Sequence, residues 1–243
     1  GRLSAADAVE RVALVIGNSR YDHAPYLNNP ERDAQAIAEA LSGLGFQVTG
    51  PLLNQNKREM DNALKQFGRR ARSAEAAVVY FSGHGVEVGG KNYLIPKDAV
   101  LEREGDASLE TVALEVVLDQ IGGASGYRLV ILDACRDNPL ANNMARANGA
   151  KAAYRGLAPV EPGGQTYVAY AARAGQRARD GAGGEHSPYA AALLKHLPRT
   201  GLPLERLFGA VGDEVKRATH GEQTPFLYGE PSAEPIYLTG LAP

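Results

Sequence analysis

The sequence predicts an α/β fold in three layers, with helices on both faces of a central and mainly parallel sheet. Short apolar runs bounded by turn residues alternate with segments in which apolar residues recur every three to four positions. This alternation of strands and helices is typical of a parallel sheet that is covered on both faces. The chain has no internal repeat, and its 243 residues, 44% of them hydrophobic, are enough for a substantial core. We expect a single domain over residues 1–243.

The first part of the chain is predicted to alternate strands with two amphipathic helices. The strands are nearly all apolar, as expected for buried ones: Arg11–Gly17, Phe46–Leu53 and Ala76–Phe81. The helices each carry an apolar stripe: Pro30 to about Leu44, and Lys57–Arg72. Gly45 is placed to end the first of them. A hairpin over Val86–Ile95, turning at Gly89-Gly90, is predicted next.

The second part of the chain contains a long interval of low regular pattern, residues 136–164. Loops of that length in a compact domain are usually functional or mobile. Before it, Ser108 is predicted to cap a helix to about Ile121, and Tyr127–Leu132 is a strand. After it we expect a strand, two helices and two short terminal strands: Thr166–Ala172, Pro188–Leu197, Leu204–Ala218, Pro225–Tyr228 and Pro235–Leu238.

Charge and cysteine content exclude several classes of function. The formal net charge is −2, from 26 basic and 28 acidic residues, so we expect no nucleic-acid partner and no basic membrane-binding patch. No apolar run approaches the roughly 20 residues that cross a bilayer. A single cysteine excludes an intrachain disulfide and a cysteine-rich zinc site. No signal peptide is visible, and the sequence leaves the compartment open between the cytoplasm and export with the signal removed.

Two reactive side chains follow neighbouring predicted strands. His84 comes after the third strand, within Ser-Gly-His-Gly, and Cys135 comes after the fourth, within Asp-Ala-Cys-Arg-Asp. In an open parallel sheet, functional groups gather at the carboxyl ends of the strands. A thiol beside an imidazole can act as a nucleophile, so we predict Cys135 as nucleophile and His84 as its acid–base partner. The backbone N–H groups of Gly85 and Cys135 are candidate donors to an oxyanion.

Other interpretations of these residues exist. A lone cysteine at a strand end is usually a small buried hydrophobe, and a lone histidine in a loop is usually polar surface. Their coincidence at matching strand ends favours the catalytic interpretation. A doubly wound domain that binds a small molecule would need a phosphate-cradling loop, and the sequence has no such motif.

The same residues resemble a known family. The Ser-Gly-His-Gly turn, followed by Asp-x-Cys at the end of the next strand, resembles the caspase, metacaspase and paracaspase group. The local sequence Asp-Ala-Cys-Arg-Asp-Asn-Pro is closest in character to bacterial caspase homologues, sometimes called orthocaspases. Further similar segments are Arg11–Asn18, Leu27–Phe46, Lys91–Asp98, Ser187–Leu197 and Gln223–Tyr228. The resemblance thus extends from about Arg11 to Leu238.

The resemblance implies a caspase–haemoglobinase fold, with about six strands in the central sheet, and a cysteine endopeptidase activity on proteins or peptides. It divides the chain into a large part over about 11–140, a linker over about 141–164 and a small part over about 165–240. It also implies a monomer rather than a dimer. The alternative is a catalytically silent caspase-like module that binds partners, although such modules usually lose the histidine or the cysteine.

Substrate preference follows from the resemblance as well. Metacaspases and their bacterial relatives cut after Arg or Lys, and the acidic pair of their pocket corresponds here to Asp33 and Asp133. Two carboxylates suit a guanidinium, which binds them through paired hydrogen bonds. Asp33 has a second interpretation as a first-turn acid favoured by the helix dipole, and Asp133 one as a turn former. Arg32 would neutralise the pocket if it pointed inward.

Three further expectations come from the resemblance. An extended substrate would add as a strand along Ala169–Ala172, with Ala169 and Tyr170 binding substrate, unless this segment is a plain buried strand. The linker would be cut by the enzyme itself after Arg146, Lys151 or Arg155, unless it is an ordinary surface loop. No cofactor is expected. Calcium occurs in the family, but the nearest acidic cluster fits a solvated loop better: Glu102, Glu104, Asp106 and Glu110.

Overall fold

A computed structural model describes residues 10–135, 157–172, 184–199, 201–230 and 232–239. Within these ranges the strands are β1 Arg11–Gly17, β2 Gln47–Leu53, β3 Ala76–Val88, β4 Lys91–Leu94, β5 Val112–Ala113, β6 Tyr127–Cys135, β7 Thr166–Tyr170 and β8 Phe226–Gly229. The helices are α1 Pro30–Gly43, α2 Lys57–Ala71, α3 Asp106–Glu110, α4 Leu114–Ile121, α5 Pro188–His196 and α6 Leu204–Ala218.

The central sheet has the strand order β2-β1-β3-β6-β7-β8. Every neighbouring pair in it is parallel except β7 with β8, which is antiparallel. β4 pairs with the end of β3, and β5 pairs with β4, so these two short strands form an extension outside the main order. The predicted mainly parallel sheet of about six strands is therefore confirmed.

Helices cover both faces of this sheet, and each face has its own core. Alternate residues of a strand point to opposite faces, so Val78 and Tyr80 join one core while Val79 and Phe81 join the other. The first core is completed by α1, α5 and α6, and the second by α2 and α4. Strands buried on both faces have to be apolar throughout, which explains the continuous runs that the sequence shows.

The predicted helix from Ser108 to Ile121 is wrong, because the chain is extended in its middle. Thr111 has φ −127° and ψ 177°, and the next two residues form β5 against β4. The result is a short α3 before the strand and α4 after it, beginning at Leu114. Pairing with another strand outweighs local helix propensity here. Ser108 does not cap either helix; its hydroxyl donates to the Gly105 carbonyl oxygen at 3.0 Å.

Other predicted strands differ from the structure in where they end, and β7 stops at Tyr170, two residues before its predicted end. β3 and β6 continue past their predicted ends, through His84 and Cys135 respectively, because each is paired with the other over this stretch. In contrast, the predicted strand Pro235–Leu238 is reduced to one bridge between Tyr237 and Pro203. None of the helices in the described ranges combines the length and the apolar character that crossing a membrane requires.

Candidate active site

The carboxyl ends of β3 and β6 bring His84 and Cys135 side by side. The two strands are parallel and in register from Ala76↔Tyr127 to His84↔Cys135 without a shift. Adjacent strands run about 4.8 Å apart, so the backbones of register partners are close neighbours. The structure describes the backbone of Cys135 and not its side chain. The predicted meeting of the two strand ends is thus present in the backbone.

The His84 ring is held in place by the loop that follows β1. Its Nε2 lies 2.8 Å from the carbonyl oxygen of Pro25. Because a carbonyl oxygen only accepts hydrogen bonds, this nitrogen carries the proton, and the lone pair of the neutral ring is on Nδ1. Only 3% of the residue is exposed. The loop therefore fixes both the tautomer and the position of the imidazole.

Tyr21 contacts the same histidine in two ways. The backbone N–H of His84 donates to the Tyr21 hydroxyl at 2.8 Å, and the two rings pack with centroids 4.6 Å apart. A Cβ placed on Gly83 would lie 2.5 Å from the Tyr21 hydroxyl oxygen. Glycine at position 83 is needed for this close approach, because any side chain would displace Tyr21 from the His84 amide.

The backbone direction at Gly85 follows from its neighbours. The Ser82 and His84 carbonyls accept from Asn18 N–H and Ile95 N–H, so these residues direct their backbone groups away from β6. Successive residues of a strand alternate in this respect, and Gly85 accordingly directs its N–H toward the end of β6, where Cys135 lies. An oxyanion bound there would enter the gap between the two strand ends.

The acidic residues Asp33 and Asp133 meet at the start of α5. Asp33 Oδ1 lies 2.8 Å from His186 Nδ1, and its Oδ2 accepts from the Ser187 backbone N–H at 3.3 Å. The Ser187 hydroxyl donates to Asp133 Oδ2 and accepts from Ala190 N–H, which makes Ser187 the N-cap of the helix. The two carboxylates are thus joined through one serine, although they are 100 residues apart in sequence.

Both carboxylates are deeply buried. Asp33 is 0% exposed and Asp133 is 6% exposed. The Tyr80 hydroxyl lies 3.4 Å from Asp133 Oδ2 and donates to it. Burial first, and then the charges of Asp133 and Asp33, raise the pKa of Tyr80 well above its usual value. Tyr80 therefore stays a neutral hydrogen-bond donor to the acid pair throughout the working pH range.

Arg32 does not point into this acidic site. Its side chain is exposed and donates to Asn29 Oδ1. The basic side chain that contacts Asp33 in the described structure is His186, whose side chain is 20% exposed. Asp33 does lie in the first turn of α1, as its second interpretation requires, but its carboxylate is directed to the α5 start.

Ala169 and Tyr170 lie in the middle of the sheet. Each pairs with β6 on one side and with β8 on the other, so neither has a free backbone edge for a substrate strand. Ala171 is also engaged on both sides: its N–H donates to Leu132, and its carbonyl accepts from Gln223 Nε2 at 2.8 Å. An added strand along this segment would have to start beyond Ala172, outside the described residues.

The Tyr170 side chain is buried at 1% exposure and takes part in an anchor that holds Ala158. Its hydroxyl accepts from Asn92 Nδ2 at 3.0 Å. The Asn92 amide also donates to the Ala158 carbonyl at 2.8 Å and accepts from the Ala158 N–H. One amide on β4 thereby satisfies both backbone groups of Ala158, and Leu157 Cδ2 comes within 3.3 Å of where a Cβ on Gly85 would be.

Two other predicted features do not belong to the candidate active site. The candidate cleavage residues Arg146, Lys151 and Arg155 fall outside the described ranges. In the acidic loop, Asp106 Oδ2 accepts from the backbone N–H groups of Glu102 and Arg103, at 3.0 and 2.8 Å. Across the described ranges no group of three or more potential ligands could hold a metal ion.

Sequence reasoning missed the residues that support the site. Tyr21 and Pro25 lie in a loop that carries no pattern pointing to His84, and Asn92 lies in a hairpin predicted only from its turn. His186 and Ser187 had one signal: Ser-Pro before an apolar run predicts a helix start. That signal places the cap but does not show that two distant acids bind it.

Comparison with known proteins agrees with this arrangement. A family model described as the caspase domain matches residues 10–237, nearly the whole chain. Human mucosa-associated lymphoid tissue lymphoma translocation protein 1 is 30% identical over 129 residues, which is 53% of this chain and 15% of that protein. Its mouse homologue gives the same identity and coverage. The chain thus spans only a small share of these relatives. Because the family match covers the sheet, both strand ends and the α5 start, the chain belongs to the caspase-domain family of peptidases.

Proposed function

We propose that this protein is a cysteine endopeptidase that cuts after Arg or Lys, with Cys135 as nucleophile and His84 as acid–base partner. The observation that carries the proposal is the register pairing of His84 with Cys135 at the carboxyl ends of two adjacent parallel strands. Membership of the caspase-domain family supports peptidase chemistry in general.

The proposed reaction begins with proton transfer from the Cys135 thiol to Nδ1 of His84. The thiolate attacks the carbonyl carbon of the scissile peptide, and the negative charge that forms on its oxygen is stabilised by the N–H groups of Gly85 and Cys135. The intermediate collapses to a thioester as the leaving amine takes the proton from the imidazolium. Water, deprotonated by His84, then hydrolyses the thioester and regenerates the thiol.

The loop that holds His84 assists both steps. The Pro25 carbonyl accepts from Nε2–H, which keeps the lone pair on Nδ1, and it stabilises the imidazolium once the second proton is bound. The Tyr21 contact keeps the ring from turning away. A histidine restrained in this way loses less entropy on reaching the transition state.

The preference for a basic residue before the cut is supported by the acid pair. Asp33 and Asp133 are bound to a common serine, so their carboxylates occupy one small region beside the end of β6. Two buried negative charges in one region favour a cationic side chain and disfavour an Asp substrate by like-charge repulsion. Arg suits the pair better than Lys, because a guanidinium can bind two carboxylates at once.

We also propose self-cleavage within residues 141–164, after Arg146, Lys151 or Arg155. The support is chemical: all three are basic, as the acid pair prefers, and they precede the segment that Asn92 anchors close to Gly85. The expected result is that purified protein is cut in this interval while the Cys135→Ala variant stays intact, as mass spectrometry of the whole chain would show.

The activity itself is tested with matched fluorogenic peptides that differ only in the residue before the cut, Arg, Lys or Asp. We expect cleavage in the order Arg, Lys, then Asp, and loss of all cleavage in Cys135→Ala. If wild-type protein is folded, as its melting temperature shows, and yet hydrolyses none of the peptides, the silent interaction module is favoured instead. Preferential cleavage after Asp would support the peptidase activity and refute the proposal that the acid pair binds a basic side chain.

A further inference from the structure

We propose that His186 is a specificity-determining residue that occupies Asp33 and competes with the cationic side chain of the substrate for it. The inference rests on the proposed function, because it assigns the occupant of the same acidic pocket. It also gives His186 a role separate from the chemistry at His84 and Cys135.

The first argument is the arrangement of exposure around this contact. The Asp33 side chain is 1% exposed, whereas the His186 side chain that contacts it is 20% exposed. His186 Nδ1 therefore occupies Oδ1 of a carboxylate that solvent barely reaches. A guanidinium that binds Oδ1 has to displace the imidazole from it.

The second argument is that the position of His186 allows it to move without unfolding α5. Ser187 caps the helix and bonds both acids, so the helix start is fixed one residue after His186. His186 itself precedes the cap, and its described hydrogen bond is the one from Nδ1 to Asp33. Turning this side chain out would break that bond and leave the Ser187 contacts intact.

The third argument concerns charge. His186 donates one hydrogen bond to Asp33 through Nδ1, whereas an amidinium or a guanidinium brings a positive charge and several N–H donors. Among the described residues, Tyr80 and Tyr189 also lie near the acid pair, and burial raises the pKa of both, so neither adds a charge there.

Removal of the imidazole should therefore tighten the binding of a cation. A side chain at position 186 that cannot reach Asp33 leaves Oδ1 to the ligand, whereas one that can still donate to it keeps the competition. The effect belongs to binding and not to the chemical step, so it can be measured in a protein that has no nucleophile.

The test uses benzamidine, a small amidinium cation, titrated calorimetrically into Cys135→Ala protein at one pH. The variant is His186→Ala, and His186→Asn is matched to it, because an Asn amide N–H can take the place of Nδ1–H. His220→Asn is the control: this exposed histidine has φ 52°, a conformation that Asn adopts readily. We expect Kd to fall about tenfold in His186→Ala and to change by less than about twofold in His186→Asn.

The outcomes separate this inference from the proposed function. An unchanged or weaker benzamidine affinity in His186→Ala, or no benzamidine binding by any of these proteins, would overturn the competition. His220→Asn should bind benzamidine as the parent does, and a Kd that is about tenfold tighter there would also count against it. Peptide hydrolysis by wild-type protein is scored independently, so an active enzyme whose benzamidine affinity is the same in His186→Ala refutes the role of His186 alone.

Discussion

The two halves of the candidate site are held by different kinds of partner. His84 is positioned by a backbone carbonyl and an aromatic ring of the loop after β1. The acid pair Asp33 and Asp133 is positioned by a histidine, a serine hydroxyl and a backbone N–H at the start of α5, more than 50 residues from either acid. The carbonyl oxygen and the aromatic ring allow His84 to change its charge during a reaction, whereas the α5 partners already donate hydrogen bonds to both acids.

The residues for the chemical step and those for substrate preference thus depend on parts of the chain that lie at different sequence separations. The histidine and cysteine can be located from the strand that each follows. The hydrogen bonds of the two acids, in contrast, are made by the start of α5, which is distant from both of them in sequence. Substitutions in the two halves should accordingly separate rate from preference.

The largest expected effect comes from the dyad. Cys135→Ser and His84→Asn should each lower kcat/KM by about 10³-fold or more for Arg and Lys peptides alike, because the nucleophile or its base is lost. Steady-state kinetics with both peptides check this. A loss confined to one peptide would mean that the residue contributes to preference and would remove the distinction between the halves.

The next effect comes from the acid pair. Asp133→Asn and Asp33→Asn should lower kcat/KM for the Arg peptide by about 100-fold, since a charged partner of the substrate cation is removed. Hydrolysis of a peptide with a neutral residue before the cut should change by much less. Melting temperatures of the variants are needed as a control, because Asp133 also bonds Ser187 and Tyr80. Equal losses on both peptides would make the acids structural.

A smaller effect is expected at the anchor on β4, measured as stability in the Cys135→Ala background. Asn92→Leu removes the amide partner of the half-buried N–H of Ala158 and leaves its carbonyl with the Tyr170 hydroxyl at 3.3 Å, so the free energy of unfolding should fall by about 2–3 kcal/mol. Tyr170→Phe removes one hydroxyl from the same anchor and should cost about 1 kcal/mol. Urea denaturation measures both. Equal costs would show that the Asn92 contacts with Ala158 add nothing.

The smallest effect is expected at Tyr21. Tyr21→Phe keeps the ring beside His84 and removes the hydroxyl that accepts from its backbone N–H. We expect kcat to fall about three- to tenfold with KM unchanged, because one positioning hydrogen bond is lost. Unaltered kcat would assign the restraint of His84 to the Pro25 carbonyl and ring packing alone.

Much of the fold could be predicted from the sequence, because strands buried on both faces and amphipathic helices each leave a strong pattern. Arg11–Gly17 and Leu204–Ala218 have the bounds that the pattern gives. The failures lie where pairing between distant residues decides the conformation, as at Val112–Ala113, which pairs with β4. Propensity contains no information about such a partner.

The candidate site divides along the same line. His84 and Cys135 follow from strand ends, since parallel neighbours deliver their ends to one edge. Tyr21, Pro25 and His186 could not be predicted, because their roles depend on where two loops cross that edge. For Ala169 and Tyr170, the sequence gives a buried strand, and whether its edge is free depends on β8.

The most direct test of the central claim is covalent labelling by a peptidyl chloromethyl ketone that carries Arg before the reactive group. Mass spectrometry follows the rate of adduct formation. Fast labelling needs both the nucleophile and the acidic pocket. We expect a single adduct on Cys135, which forms at least about 100-fold more slowly in the His84→Asn variant, and also in wild type with the matching Asp reagent. Labelling of Cys135 at the same rate in wild type and His84→Asn would contradict the pairing of these two residues in one active site.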